Sequence, residues 1–218
     1  MNLHTEMNLP TEQQCQELFE QYCVPHNIKE HCEKVRLVAV FLAKKLQQRG
    51  EKINIDLVDK SALLHDLFKV VVLEKLGSNK YHHYEPTPTE VAMWRHLRKK
   101  YPGKFESEVA YDLFKDDYPE LAITLKNASH PVRENRTPEE LVVHYADWIT
   151  LGTKVVSLDE RLAYLFETYP QALDLWKKSV NLIKEQEKQL FSKIDFPPAD
   201  LPRLVEEEAA EEAATHGQ

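Results

Sequence analysis

The chain has 218 residues, 42% of them hydrophobic, and a formal net charge of −8. That supports one sizeable core, while the acidic balance argues against broad duplex nucleic-acid binding. No run approaches the roughly 20 apolar residues of a membrane span, and the polar start MNLHTEMNLPTEQQ lacks an apolar signal core, so a cytoplasmic location is expected.

The elements read as helix after helix. Thr11 caps a short helix to about Cys23, and Pro25 ends it. Asn27 and Glu30 predict a capping box for a helix reaching the stop at Gly50, with Val35, Val38, Leu42 and Leu46 on its apolar stripe. Asp56 opens the next helix, which is expected to carry His65-Asp66 within SALLHDLFK. Thr87-Pro88-Thr89-Glu90 supplies cap, first-turn proline and box glutamate for a fourth helix. Helices follow at about 105–116 and 119–129. Thr137-Pro138-Glu139-Glu140 repeats the same device before a helix carrying Asp147, and Ser157 with Glu160 opens another. Pro170 precedes a long helix to about Ile194, which leaves packing against a second copy open. Nothing predicts a hairpin.

The expected organisation is an N-terminal extension (1–10), a single all-α bundle (11–196) and an acidic tail (197–218) that is disordered or a frayed helix. Within it, residues 201–218, with five glutamates and one arginine, carry half of the net charge. Cys15, Cys23 and Cys32 are odd in number, lack CxxC spacing and read as reduced thiols.

Four polar residues sit in apolar helical surroundings: His31 on the stripe His31, Val35, Val38, the pair His65-Asp66, and Asp147 in VVHYADWITL. Each alone has a plain structural explanation, such as a core histidine or a helix-to-helix ion pair. Together, two imidazoles and two carboxylates form a ligand set for one divalent ion of the Mn, Fe, Co, Ni, Zn or Mg type. Such an ion activates water for attack on a phosphoryl group. Lys69, one turn past His65, is placed to neutralise a phosphate. The basic stretch Arg95–Lys104 reads first as a solvated helix face. His82-His83 sits in a polar loop that nothing else completes as a metal site, and Tyr145 and Trp148 read as packing residues. No glycine-rich phosphate loop or GxSxG elbow is present.

With those residues in view, the chain resembles the HD-domain superfamily of metal-dependent phosphohydrolases. The carriers are His31, the pair in ALLHDLFK, and Asp147 in EELVVHYADWITLGTKVVSLDERL, over roughly 25–170. The resemblance implies a helical HD-type domain that binds one divalent metal through His31, His65, Asp66 and Asp147. Asp66 and Lys69 would be catalytic, and the substrate a small phosphate monoester or nucleotide. It also marks departures: two-metal members carry further histidines where this chain has Glu106 and, near a histidine pair, Ala128 with His130 displaced. One tight metal is therefore expected. Glu106 would be an outer group, and Lys69, His130 and Arg133 substrate contacts. Two alternatives stand beside this: a regulatory module that binds metal or nucleotide without turnover, and a di-iron oxygenase of the same fold.

Overall fold

The computed structural model describes residues 7–73, 84–169 and 173–216. His82-His83 and Pro170 lie outside them. The described residues form ten α-helices and one two-stranded hairpin, the expected all-α class. No helix among them is long and apolar enough to cross a membrane.

Helix α1 (Glu12–Gln21) starts at a Thr11 capping box completed by Gln14. The next helix, α2 (His26–Gln48), starts two residues earlier than the Asn27–Glu30 box predicts. Pro25, at φ −54°, presets the backbone for entry, and Glu30 instead meets His26 one turn away at 3.1 Å. Gly50, at φ 86°, supplies the left-handed residue that ends the helix. Asn54, rather than Asp56, caps α3 (Ile55–Leu64) by accepting from the Leu57 amide.

His65-Asp66 does not lie within that helix. α3 stops at Leu64, and the chain tightens into i→i+3 bonds, Leu67 N to Leu64 O and Lys69 N to Asp66 O, leading into a 3-10 turn at Lys69–Val71. The His65 imidazole donates to the Ala62 carbonyl at 2.8 Å, satisfying one of the helix's orphan acceptors.

Four helices follow: α4 (Pro88–Lys100), α5 (Glu106–Phe114), α6 (Pro119–Ala128) and α7 (Pro138–Trp148). Thr87 and Thr137 form their predicted capping boxes with Glu90 and Glu140. An unpredicted antiparallel hairpin, β1 (Thr150–Leu151) and β2 (Lys154–Val155), turns at Gly152, φ 61°. Ser157 then caps α8 (Leu158–Thr168), and α9 (Leu173–Phe191) precedes α10 (Leu201–His216).

The tail at 201–216 is a helix packed on the body, where its Ala/Glu composition predicts a disordered segment or a frayed helix. Leu201 and Val205 are buried, one helical turn apart, in the same core as α2. On the charged side, Lys34 pairs with Glu206 at 2.5 Å, Lys45 with Glu208 at 2.9 Å and Lys44 with Glu212 at 2.7 Å. The glutamates therefore face three lysines of α2 rather than one another.

Two apolar clusters fill the interior. One gathers Val35–Leu46 of α2 with α7, α8, α9 and α10; the other gathers α1, α4, α5 and α6 around Ile28, Cys32, Leu63, Leu64 and Phe68. Burying each such Leu or Phe is worth about 1.5–3 kcal/mol. α2 and α3 contribute to both clusters, and α7 packs across both of these helices. Tyr145 and Trp148 are buried packing residues, as expected. Arg98 is bound to the Val70 and Leu73 carbonyls, while Arg95, His96, Lys99 and Lys100 form an exposed face. The three cysteines are free thiols.

Candidate metal centre

Three of the four expected ligands meet where the two clusters join. α2 supplies His31 from its second turn, the end of α3 supplies His65, and the last turn of α7 supplies Asp147. Asp147 Oδ1 is 3.1 Å from His31 Nε2 and 3.5 Å from His65 Nε2, and one donor atom from each residue lies within 4.8 Å of the others. Ligands about 2.1 Å from a common ion stand roughly 3–3.5 Å apart, so the triad is near that spacing. His65 is almost fully buried and Asp147 is about one-third exposed, so the site is reached from the Asp147 side.

Backbone carbonyls decide which imidazole nitrogen faces the centre. His31 Nδ1 lies 3.0 Å from Gly152 O, and His65 Nδ1 lies 2.8 Å from Ala62 O. A carbonyl only accepts, so both Nδ1 atoms carry hydrogen. In the neutral form each Nε2 then carries a lone pair turned toward a carboxylate, an arrangement that a proton or a metal cation satisfies. His65 Nε2 is buried and has no hydrogen-bond partner. An orphaned, correctly tautomerised buried nitrogen beside a carboxylate fits a divalent metal.

Without metal, a proton on His65 supplies positive charge beside Asp147. Burial opposes the His65 imidazolium, but Asp66, with Asp147 also near, holds its pKa well above the ordinary value. Burial likewise opposes the Asp147 carboxylate, yet His31 and His65 keep it well below the usual range. Among the described residues, Asp147's ion-pair partners are these imidazoles, with no Lys or Arg.

Asp66 flanks the triad rather than completing it. Its Oδ2 is 3.7 Å from His65 Nε2, while its Oδ1 meets Lys69 Nζ at 3.2 Å. The 3-10 turn explains this, because residues three apart eclipse there. Lys69 also meets Glu106 Oε1, at the first turn of α5, at 3.1 Å. Glu106 is thus linked to Asp66 through Lys69.

His130 and Arg133 are not gathered at the triad. Both are exposed, and Arg133 Nε lies 3.6 Å from Glu140. Glu140 is seven residues before Asp147 on α7, about 10 Å away at 1.5 Å per residue. His130 Nδ1 accepts from the Val132 amide inside its own turn.

The sequence reading missed the carbonyls of Gly152 and Ala62, because every residue has a carbonyl. The glycine between two short apolar segments was the one available signal. No protein-family model, curated protein or solved structure matches the chain.

Proposed function

We propose that the chain is a metal-dependent phosphohydrolase of the HD type, acting on a phosphate monoester or nucleotide. The observation that carries the reading is the buried His65 Nε2, which makes no hydrogen bond and faces Asp147 and His31. His31, His65 and Asp147 would hold one divalent ion, with Asp66 as the fourth ligand from its flanking position. When bound, the ion supplies Lewis acidity to water and to a phosphoryl oxygen.

The protein's own groups divide the remaining work. Gly152 and Ala62 keep the imidazoles oriented through their carbonyls. Asp66, beside the triad, would orient the attacking water or take its proton. Lys69 has three N–H donors, two of them directed to Asp66 and Glu106. The third serves a phosphoryl oxygen. A substrate that also meets Arg133 must extend about 10 Å along α7, which is the reach of a nucleotide rather than of a minimal phosphate ester.

The test is turnover of an aryl phosphate and a nucleotide panel by stripped protein reloaded in turn with Mn, Co, Ni, Zn and Mg. Metal-dependent hydrolysis is expected, and should be lost in His65→Ala and in Asp66→Ala with helicity near normal. Full activity of Asp66→Ala sinks the assignment.

One observation favours a second reading, a module that binds metal or nucleotide without chemistry: Lys69 already lies against two carboxylates. Tight nucleotide binding with no turnover under any metal would select it.

A further inference from the structure

We infer that the Lys69 ammonium is a built-in cation standing where a second metal ion would otherwise sit, and that it fixes this centre at one divalent ion. The inference rests on the metal reading above and concerns the stoichiometry of the same site.

Lys69 Nζ bridges two carboxylates from separate elements, Asp66 Oδ1 at 3.2 Å on the turn after α3 and Glu106 Oε1 at 3.1 Å on α5. Both are largely removed from water, with side chains 10% and 14% exposed. Glu106 Oε2 is buried and has no hydrogen-bond partner. Two buried carboxylates, one with a spare acceptor, are costly unless a cation lies between them. Here that cation is covalently attached.

Charge counting gives the same answer. The charged groups acting on Lys69 are Asp66, Glu106 and Asp147. Three carboxylates against one ammonium leave a charge of −2 with both imidazoles neutral, which one divalent ion cancels. A second divalent ion would leave the cluster +2 and would compete with the ammonium for the same oxygens. Removing the lysine charge raises the deficit to −3. It also frees Asp66 Oδ1 and Glu106 Oε1, which with the unbonded Glu106 Oε2 make an all-oxygen set suited to Mn or Mg.

The test counts metal. Full-length protein is purified in Mn2+, equilibrated at a fixed free concentration, and assayed for Mn per chain and for the electron-spin signature of a coupled Mn pair. Wild type and Lys69→Arg are expected to hold one ion. Lys69→Met is expected to hold two and to show the coupled signal, and Lys69→Met/Glu106→Gln is expected to return to one. Lys69→Gln serves as a second neutral variant should the methionine protein misfold. Two ions in wild type, or one in both neutral variants, overturns the inference. No tight ion in wild type overturns the metal reading itself, a separate result. Loss of packing alone would not create a second, spin-coupled ion.

Discussion

Lowering the pH from 7 to 5 should weaken the fold through His144, and His144→Asn should remove that weakening. His144 is 4% exposed on α7. Its Nδ1 lies 2.8 Å from Gln186 Oε1 on α9, and Trp148 Nε1 donates to its Nε2 at 3.0 Å. The ring is thus held as the neutral Nδ1–H tautomer, and a proton on Nε2 would oppose the Trp148 N–H. Burial first, then the charge of Arg136 from the loop before α7, pushes its pKa down to about 3; His130 acts in the same direction, and Gln186 and Asp147 oppose it. The unfolded chain titrates this group near 6.5. Between those values the unfolded state takes up a proton that the native state refuses, so stability is lost as pH falls. At about 1.4 kcal/mol per pH unit, the loss between pH 7 and 5 is about 2 kcal/mol. His65 shifts upward and titrates in the opposite sense, contributing stability below its unfolded pKa that is lost at high pH. The comparison is therefore made between wild type and variant, where that contribution cancels. The assay is urea unfolding at both pH values, with asparagine keeping one donor and one acceptor at the site. Wild type should lose about 2 kcal/mol more than the variant; equal losses would refute the assignment of a buried neutral imidazole.

Two other perturbations follow from the same geometry. Gly152→Val places a β-branched residue at φ 61°, displacing the carbonyl that orients His31. Mn affinity should fall about tenfold or more by titration, and an unchanged affinity would remove Gly152 from the centre. Leu201→Ala should cost about 2–3 kcal/mol in denaturant unfolding, whereas Lys44→Ala, on a part-exposed ion pair, should cost less than about 1 kcal/mol. The reverse order would mean that α10 is held by charge rather than by its apolar face.

What the sequence disclosed was chiefly local. The caps at Thr11, Thr87, Thr137 and Ser157 each need only residues three positions apart, and all four form. The Asn27–Glu30 box, equally local, lost to the proline two residues earlier. The end of α3 escaped because SALLHDLFK keeps helical periodicity through a stretch where the backbone tightens. α10 escaped because its two anchoring side chains, Leu201 and Val205, are diluted by glutamates whose lysine partners lie some 165 residues away. At the centre, the residue types named His31, His65 and Asp147. The turn of Asp66 from the triad toward Lys69 depends on the 3-10 geometry, and the carbonyls that set both tautomers belong to the backbone. The hairpin that carries one of them has strands of two residues each, too short to show alternation.

That hairpin and α7 stand 121 and 116 residues from His31 in the chain. No short segment can assemble the triad by itself, so a ligand that needs all three groups binds only after α2 and α7 have docked. Its binding then stabilises the folded state by RT ln(1 + L/Kd), where L is the free ligand concentration, about 2.7 kcal/mol at a hundred times its dissociation constant. The melting temperature of the whole protein thus reads out occupancy of the centre. Screening metals and phosphorylated compounds by thermal shift would rank ligands before any reaction has been observed.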